Sequence, residues 1–198
     1  GAILVNLLGV VGLVGFLYFV AQHLQLVVGL SPMTAGFALV PGLALMIVSG
    51  LAVVPVAKRF APRVVVPVAL AFSVVAYVMV ALSTADLVQL IVAFALLGIG
   101  IGAAETVSNE LILSSAPSAK AGAASAVSET AYEVGAVLGT AVLGGILAAF
   151  YRTQLVLPEG LSAAAADASR ETLAGAVAVS NTLDDAALAE SLRTAAAH

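Results

Sequence analysis

Long runs of apolar residues dominate this chain and restrict its fold more than any other feature. The run VVVPVALAFSVVAYVMVAL is typical, and of the 198 residues 62% are hydrophobic and 9% are charged, whereas soluble domains carry about a quarter charged residues. Lipid cannot hydrogen-bond to a backbone, so such runs must form helices or a closed barrel. Because the runs lack the alternation of barrel strands, the sequence predicts an all-α, polytopic bundle of transmembrane helices.

Five segments are long enough to span a membrane, which takes roughly 20 apolar residues. The predicted spans cover residues 2–20, 35–56, 64–82, 87–113 and 118–150. The polar residues expected to end the first and third spans are Gln22, His23 and Gln25, and Ser83, Thr84, Ala85 and Asp86. The linkers are short, so we expect successive helices to be antiparallel neighbours in one bundle formed by residues 1–152.

The character of the chain changes after Arg152. Acidic and basic residues interrupt an Ala-rich stretch over residues 153–198, and lipid could not bury such a segment. We expect this segment to lie outside the membrane and to be partly helical, with one helix starting near the capping residues between Ser180 and Asp185.

Basic residues in the short loops predict the orientation of the bundle. Lys58, Arg59 and Arg63 lie between the second and third spans, and Lys120 lies between the fourth and fifth. These loops are therefore predicted to be cytoplasmic, residues 153–198 extracytoplasmic, and the protein to lie in the plasma membrane. The opening of the chain is not typical of a signal peptide. We expect an internal cut and a piece that is one helix short of an even bundle.

Two acidic residues occupy the middle of the fifth span. Glu129 and Glu133 are four residues apart, so their side chains share one helical face roughly 5–6 Å from each other. A carboxylate at this depth costs about 2.5–3.5 kcal/mol, and losing a proton there is unfavourable until a cation arrives. We therefore expect the pair to exchange a proton for an organic cation, with Tyr132 offering a cation–π contact. In the alternative, the glutamates only hydrogen-bond to neighbouring helices.

Glycine and proline residues within the spans predict packing features. The glycines that follow the acidic pair are Gly135, Gly139, Gly144 and Gly145. They indicate close helix packing or, as the alternative, a flexible contact used in alternating access. Pro41 inside the second span predicts a kink and is a candidate position for gating.

The fourth span carries further polar residues. Glu105 and Asn109 share one face and are candidates for a second acid or a pore-lining group, with a satisfied contact between helices as the alternative. Glu110 is rotated away from them and is expected to cap or snorkel at the cytoplasmic end. His23 and Gln25 are expected at the membrane interface.

Several other functions have no support in the composition. The absence of cysteine excludes disulfides and thiolate metal sites, and two distant histidines do not make a metal centre. We expect no cofactor, no metal and no nucleic-acid partner. An intramembrane hydrolase is disfavoured because no Ser/His dyad lies at membrane depth, so we do not expect an enzyme.

At SPMTAGFALVPG (residues 31–42) and AGAASAVSETAYEVGAVLGTAVLGG (residues 121–145) the sequence resembles the fourteen-span drug:proton antiporters of the major facilitator superfamily, in the branch that includes quaternary-ammonium exporters. The resemblance covers about residues 1–152. It implies that the five spans correspond to helices nine to thirteen of a major facilitator fold, and that the tail is the external loop before a fourteenth helix.

The resemblance also implies roles for single positions. The family often has two adjacent acids, then Thr, any residue, Tyr and a third acid, and here Ser128 replaces the first acid while Glu129 and Glu133 keep the others. Some cation exporters carry an acid in the helix that matches the second span, and none occurs there, as Leu45 and Met46 show. The turn KRFAPR is similar to a degenerate copy of the superfamily's loop motif.

The leading hypothesis is a proton-coupled secondary transporter that exports amphipathic, cationic compounds. Its expected partners are a small organic cation, protons, the lipid bilayer and the N-terminal half of the same transporter, with the proton gradient as energy source. A metabolite exporter of the same fold and a non-transporting membrane scaffold or sensor are the alternatives.

Overall fold

In a computed structural model, the described part of the chain comprises residues 1–82 and 87–197, and every regular element in it is helical. The predicted end of the third span, Ser83, Thr84, Ala85 and Asp86, lies outside the described residues. The all-α fold class expected from the apolar runs is confirmed.

Five continuous helical segments, called rods below, are long and apolar enough to cross a membrane. The bounds of their helices are α1 Ala2–Gln22, α2 Pro32–Ala57, α3 Pro62–Ala81, α4 Leu87–Ser114, α5 Ala121–Leu138 and α6 Gly144–Gln154. A π-helical turn extends α1 over His23–Val27, and another over Gly139–Leu143 joins α5 to α6 into the fifth rod.

The helix ends differ from the predicted spans for local reasons. α2 and α3 begin earlier than expected because proline is well accommodated in a first turn, where its missing N–H needs no partner. Ser31 caps α2 by accepting a hydrogen bond from the backbone N–H of Thr34 at 3.2 Å. The first rod continues to Val27, because Gln22, His23 and Gln25 are accommodated within the helix instead of ending it.

α4 is the central helix of the bundle. Its glycines Gly98 and Gly102 lie against the backbone of α2, and Gly100 lies against the backbone of α3, so closely that an added Cβ would overlap the neighbouring atoms. α4 also packs against α1, which in turn packs against α5. The expectation that successive helices are neighbours is wrong for α2 and α3, which barely touch, because the small residues of α4 admit both of them.

Large apolar side chains cover the outward faces of α2 and α3. Phe37 is 68% exposed and Leu51 is 70% exposed. Exposing such a surface to water would cost roughly 25 cal/mol for each Å², whereas in a bilayer it contacts lipid. Together with the five apolar rods, this surface makes the chain part of a multi-pass membrane protein.

The tail after α6 folds into three short helices, α7 Ala163–Glu171, α8 Leu173–Ser180 and α9 Ala186–Ala197. Asp185 caps α9 by accepting a hydrogen bond from the backbone N–H of Ala187 at 2.9 Å. The tail has its own small apolar core, which includes Ala176 and Leu192. The tail is joined to the membrane rod by the hydroxyl of Tyr151, which donates to the backbone oxygen of Ser169 at 2.8 Å.

Candidate functional site

A polar cluster lies where α1, α4 and α5 meet, with Asn6 and Ser128 buried and Asn109 exposed. The amide Nδ2 of Asn6 donates to Oδ1 of Asn109 at 3.2 Å and to Oγ of Ser128 at 3.3 Å. The Ser128 hydroxyl also donates to Asn109. Asn6 is only 2% exposed and Ser128 only 8%. The three side chains therefore link three separate helices.

Two glycines bring α5 close enough to α1 for these bonds to form. A Cβ on Gly135 would lie 2.8 Å from the backbone oxygen of Leu7, and one on Gly139 would lie 2.7 Å from that of Val11. Neither position has room for a larger residue. The glycine pattern after the acidic pair thus corresponds to a close helix contact at these two positions.

The last two glycines of that pattern have different surroundings. Gly144 faces the ring of Tyr18, and a Cβ there would lie 3.2 Å from that ring. Gly145 has no neighbouring atom within 4 Å of a Cβ position, among the residues that the structure describes.

Glu105 lies one helical turn from Asn109 on α4. Its Oε1 atom is buried and has no hydrogen-bond partner among the described residues. The same oxygen faces α1 at Gly9, where a Cβ would lie 3.8 Å away. The second acid expected from the sequence is thus held between α1 and α4, beside the polar cluster.

Glu129 follows the cluster member Ser128 on α5, and Glu133 lies about one turn further along the helix. Both glutamates are exposed at the surface of this chain. Tyr132 is 42% exposed and lies directly before Glu133 and within one turn of Glu129 on α5. The ion pairs formed by described residues lie in the tail, in the pairs Arg170–Asp167 and Arg193–Glu190.

The arrangement offers carboxyl groups on two neighbouring helices, α4 and α5, together with the aromatic ring of Tyr132 on α5. Glu105 is the buried acid and the α5 acids are open to the space beside the chain. Carboxyl groups in such surroundings can carry protons, and an aromatic ring with carboxylates can bind an organic cation. Within the described ranges, no group of three His, Asp or Glu side chains could hold a metal ion.

The remaining predicted residues lie away from this cluster. Pro41 is inside α2, and the helix is continuous through it. Lys58, Arg59 and Arg63 lie at the exposed turn between α2 and α3. His23 stacks on Phe19 at the far end of α1, with their ring centroids 5.8 Å apart.

Asn6 is the site residue that the sequence analysis missed. It is the one amide side chain between Gly1 and Val20, in a run that is otherwise apolar. A polar residue inside a membrane span usually faces a partner within the protein. That contrast with its apolar neighbours is the signal for Asn6 in the sequence.

Five apolar helical segments long enough to cross a membrane, joined by polar side chains, define a polytopic helical membrane protein. The sequence model of the Major Facilitator Superfamily matches residues 2–158, and the chain belongs to this superfamily. The resemblance noted from residues 31–42 and 121–145 is thereby confirmed.

Named relatives extend the comparison. The chain is 48% identical to the Multidrug efflux pump LfrA of Mycolicibacterium smegmatis over 198 residues, which cover 99% of this chain and 39% of that protein. It is 32% identical over 173 residues to the Methyl viologen resistance protein SmvA of Salmonella typhimurium, covering 86% of this chain and 35% of that protein. The chain thus spans about two fifths or less of the length of these relatives.

A third relative is the Tetracenomycin C resistance and export protein of Streptomyces glaucescens. It is 34% identical over 137 residues, which cover 68% of this chain and 26% of that protein.

Proposed function

We propose that the protein containing this chain is a proton-coupled secondary transporter of the plasma membrane that exports amphipathic, cationic compounds. The observation that carries this proposal is that Glu129 and Glu133 are exposed on α5, with Tyr132 directly before Glu133, while Oε1 of Glu105 on the neighbouring helix α4 is buried. A carboxyl group at membrane depth favours its neutral form until a positive charge replaces the proton. Proton and organic cation can therefore compete for the same acids.

Glu105 is buried at one oxygen, whereas Glu129 and Glu133 are exposed. This difference supports the exchange of a proton for a cation over a static structural role. Glu105 has a buried oxygen without a hydrogen-bond partner among the described residues, so its ionised form is not compensated there. Glu129 and Glu133 are exposed on this chain, and a second helical bundle can enclose them together with a substrate. Glutamates that only joined helices would be expected to bond to those helices.

The names of the relatives point to the substrate class. They include a multidrug efflux pump, a protein named for resistance to methyl viologen, which is an organic cation, and an export protein for tetracenomycin C. Extending this to the present chain gives a transporter of small organic compounds, not an enzyme. The energy source in this proposal is the proton gradient, and no cofactor takes part.

Alternating access requires two helical bundles that move about a central site. The partner of this chain in the proposal is the N-terminal half of the same transporter. The basic turn with Lys58, Arg59 and Arg63 faces the cytoplasm in this arrangement, and residues 153–198 lie outside the cell membrane.

The test uses the full-length protein in membrane vesicles, with ethidium efflux driven by an imposed pH gradient. The double variant Glu129→Gln, Glu133→Gln keeps side-chain size and removes both titratable groups. We expect it to lose proton-driven efflux by at least about tenfold, an effect of about 1.4 kcal/mol on the coupled step.

The matched control is Glu110→Gln, because Glu110 is exposed near the end of α4 and is not one of the acids of the proposed site. It is expected to retain efflux. Unchanged efflux in the double variant would refute the proposal that these acids couple transport to protons.

A further inference from the structure

A cavity of about 280 Å³ lies at the end of the bundle where α1 and α6 meet the tail. It is separate from the acidic site, because none of its lining residues belongs to α4 or α5. The wall from α1 and its π-helical turn includes Tyr18, Phe19 and Gln22, and the wall from α6 includes Phe150 and Tyr151. The tail closes the cavity through residues of α8 and α9, among them Leu173 and Ala195.

The lining combines aromatic and aliphatic side chains with two amides and the imidazole of His23. Two of the chain's four tyrosines line the cavity together with two phenylalanines, and Gln22 and Gln154 add side-chain carbonyl groups. None of the described lining residues is acidic. A cation held here would therefore be bound by ring faces and amide dipoles and not by ion pairing.

One π-helical turn lines this cavity, and the other ends directly before a lining residue. His23 and Val27 belong to the turn that extends α1, and Gly144 directly follows the turn that joins α5 to α6. π-helical turns interrupt the regular bonding of a helix and occur frequently at functional sites. Gly144 has a specific role in the wall, since a Cβ there would lie 3.2 Å from the Tyr18 ring.

The tail is held in place by residues that also form the wall. Tyr151 donates its hydroxyl hydrogen bond to Ser169 of α7, and its ring belongs both to the apolar core of the tail and to the cavity lining. Leu155 and Leu173 share this double placement. The cavity therefore depends on the folded tail and not on the membrane helices alone.

We propose that this cavity is a second binding site, for a planar aromatic organic cation, lying between the membrane bundle and the tail and distinct from the acidic site. The ligand class rests on the proposed function, whereas the location rests on the lining alone. The volume is close to the lower end of the roughly 300–1,000 Å³ that small-molecule pockets occupy. The aromatic rings in its walls favour a flat ring system, because aromatic rings stack on one another.

The probe is ethidium monoazide, used to photolabel the full-length protein in lipid nanodiscs, with labelled peptides identified by mass spectrometry. We expect label in peptides that contain Tyr18 and Phe150. The double variant Tyr18→Leu, Phe150→Leu removes two ring faces and is expected to lower this labelling by about tenfold. The control Phe37→Leu removes a lipid-facing ring of α2 and is expected to leave the labelling unchanged.

A second variant shows whether a loss of labelling in the first variant could come from misfolding alone. Ala195→Leu fills the cavity from the tail, outside the membrane rods, and is expected to lower the labelling to a similar extent. Absence of label from these peptides, or label that both cavity variants leave unchanged, would overturn the second site.

Labelling and efflux are separate readouts, so the variant Glu129→Gln, Glu133→Gln is expected to keep the label here even when efflux is lost. Retained efflux in that variant would count against the proposed function and not against the cavity.

Discussion

The amide of Asn6 on α1 donates to Oδ1 of Asn109 on α4 at 3.2 Å, across 103 positions of sequence. The same amide also donates to Oγ of Ser128 on α5, so the bonds of Asn6 join α1, α4 and α5. A hydrogen bond between membrane helices contributes about 0.6 kcal/mol on average and up to about 1.7 kcal/mol. This cluster is thus a connection of modest strength placed beside the acids.

Replacing Asn6 tests the strength of this connection. Asn6→Ala removes both donated bonds and is expected to lower the free energy of unfolding by about 0.5–2 kcal/mol. The measurement is equilibrium unfolding of the full-length protein in mixed micelles. Leu4→Ala, a truncation on the exposed face of the same helix, is the control and is expected to cost less. Equal losses in the two variants would contradict a structural role for the cluster.

Neutralising Glu105 tests whether the buried acid takes part in proton coupling. Glu105→Gln keeps the shape of the side chain and removes its titratable proton, so proton-driven efflux is expected to fall at least about tenfold while the fold is retained. The assay compares efflux rates over a range of imposed pH gradients. In the variant, the efflux rate is expected to depend less on the imposed pH gradient. Glu110→Gln on the same helix is the control, and a wild-type profile for Glu105→Gln would remove this acid from the mechanism.

Adding a methyl group to the glycines of the fifth rod separates packing from helix propensity. Gly135→Ala and Gly139→Ala place a Cβ within 3 Å of α1 backbone atoms, so each is expected to destabilise the protein by about 1–3 kcal/mol. Gly145→Ala meets open space and is expected to be neutral or to stabilise by up to about 1 kcal/mol. Unfolding measurements in the same micelles check the order, and a penalty shared by all three variants would contradict it.

Removing the Tyr151 hydroxyl tests how the tail is attached. Tyr151→Phe keeps the ring and loses the bond to Ser169, which is expected to weaken tail packing by about 1 kcal/mol. Amide hydrogen exchange in α7 and α8 is expected to rise about fivefold, the factor that 1 kcal/mol corresponds to. Thr153→Val is the control, since its hydroxyl bonds within its own turn to Phe150. Exchange that rises equally in both variants would argue against this attachment.

The predicted orientation can be checked by labelling, because the chain has no cysteine. Single substitutions Phe60→Cys, in the turn after α2, and Glu159→Cys, in the tail, are introduced into a cysteine-free full-length protein. A membrane-impermeant maleimide added to intact cells is expected to label Glu159→Cys alone. Labelling of Phe60→Cys under the same conditions would reverse the assigned orientation.

The class of fold and the number of rods followed from the sequence because both depend on local constraints. A bilayer requires about 20 apolar residues for each span and leaves the backbone only itself to bond with, so an apolar run of sufficient length is enough to predict a helix. The shared face of Glu129 and Glu133 is equally local, since it depends only on helical spacing.

The tertiary structure decided which helix faces meet. The bonding of Asn6 to Asn109 and the position of Glu105 against Gly9 depend on how α1 packs on α4, and no spacing along the chain contains that information. The central place of α4 arises from glycines that admit two neighbours at once, and the tail closes a cavity through residues far apart in sequence. Helix contacts are set by the fit of whole surfaces, and lipid as a surrounding solvent does not specify which surfaces pair.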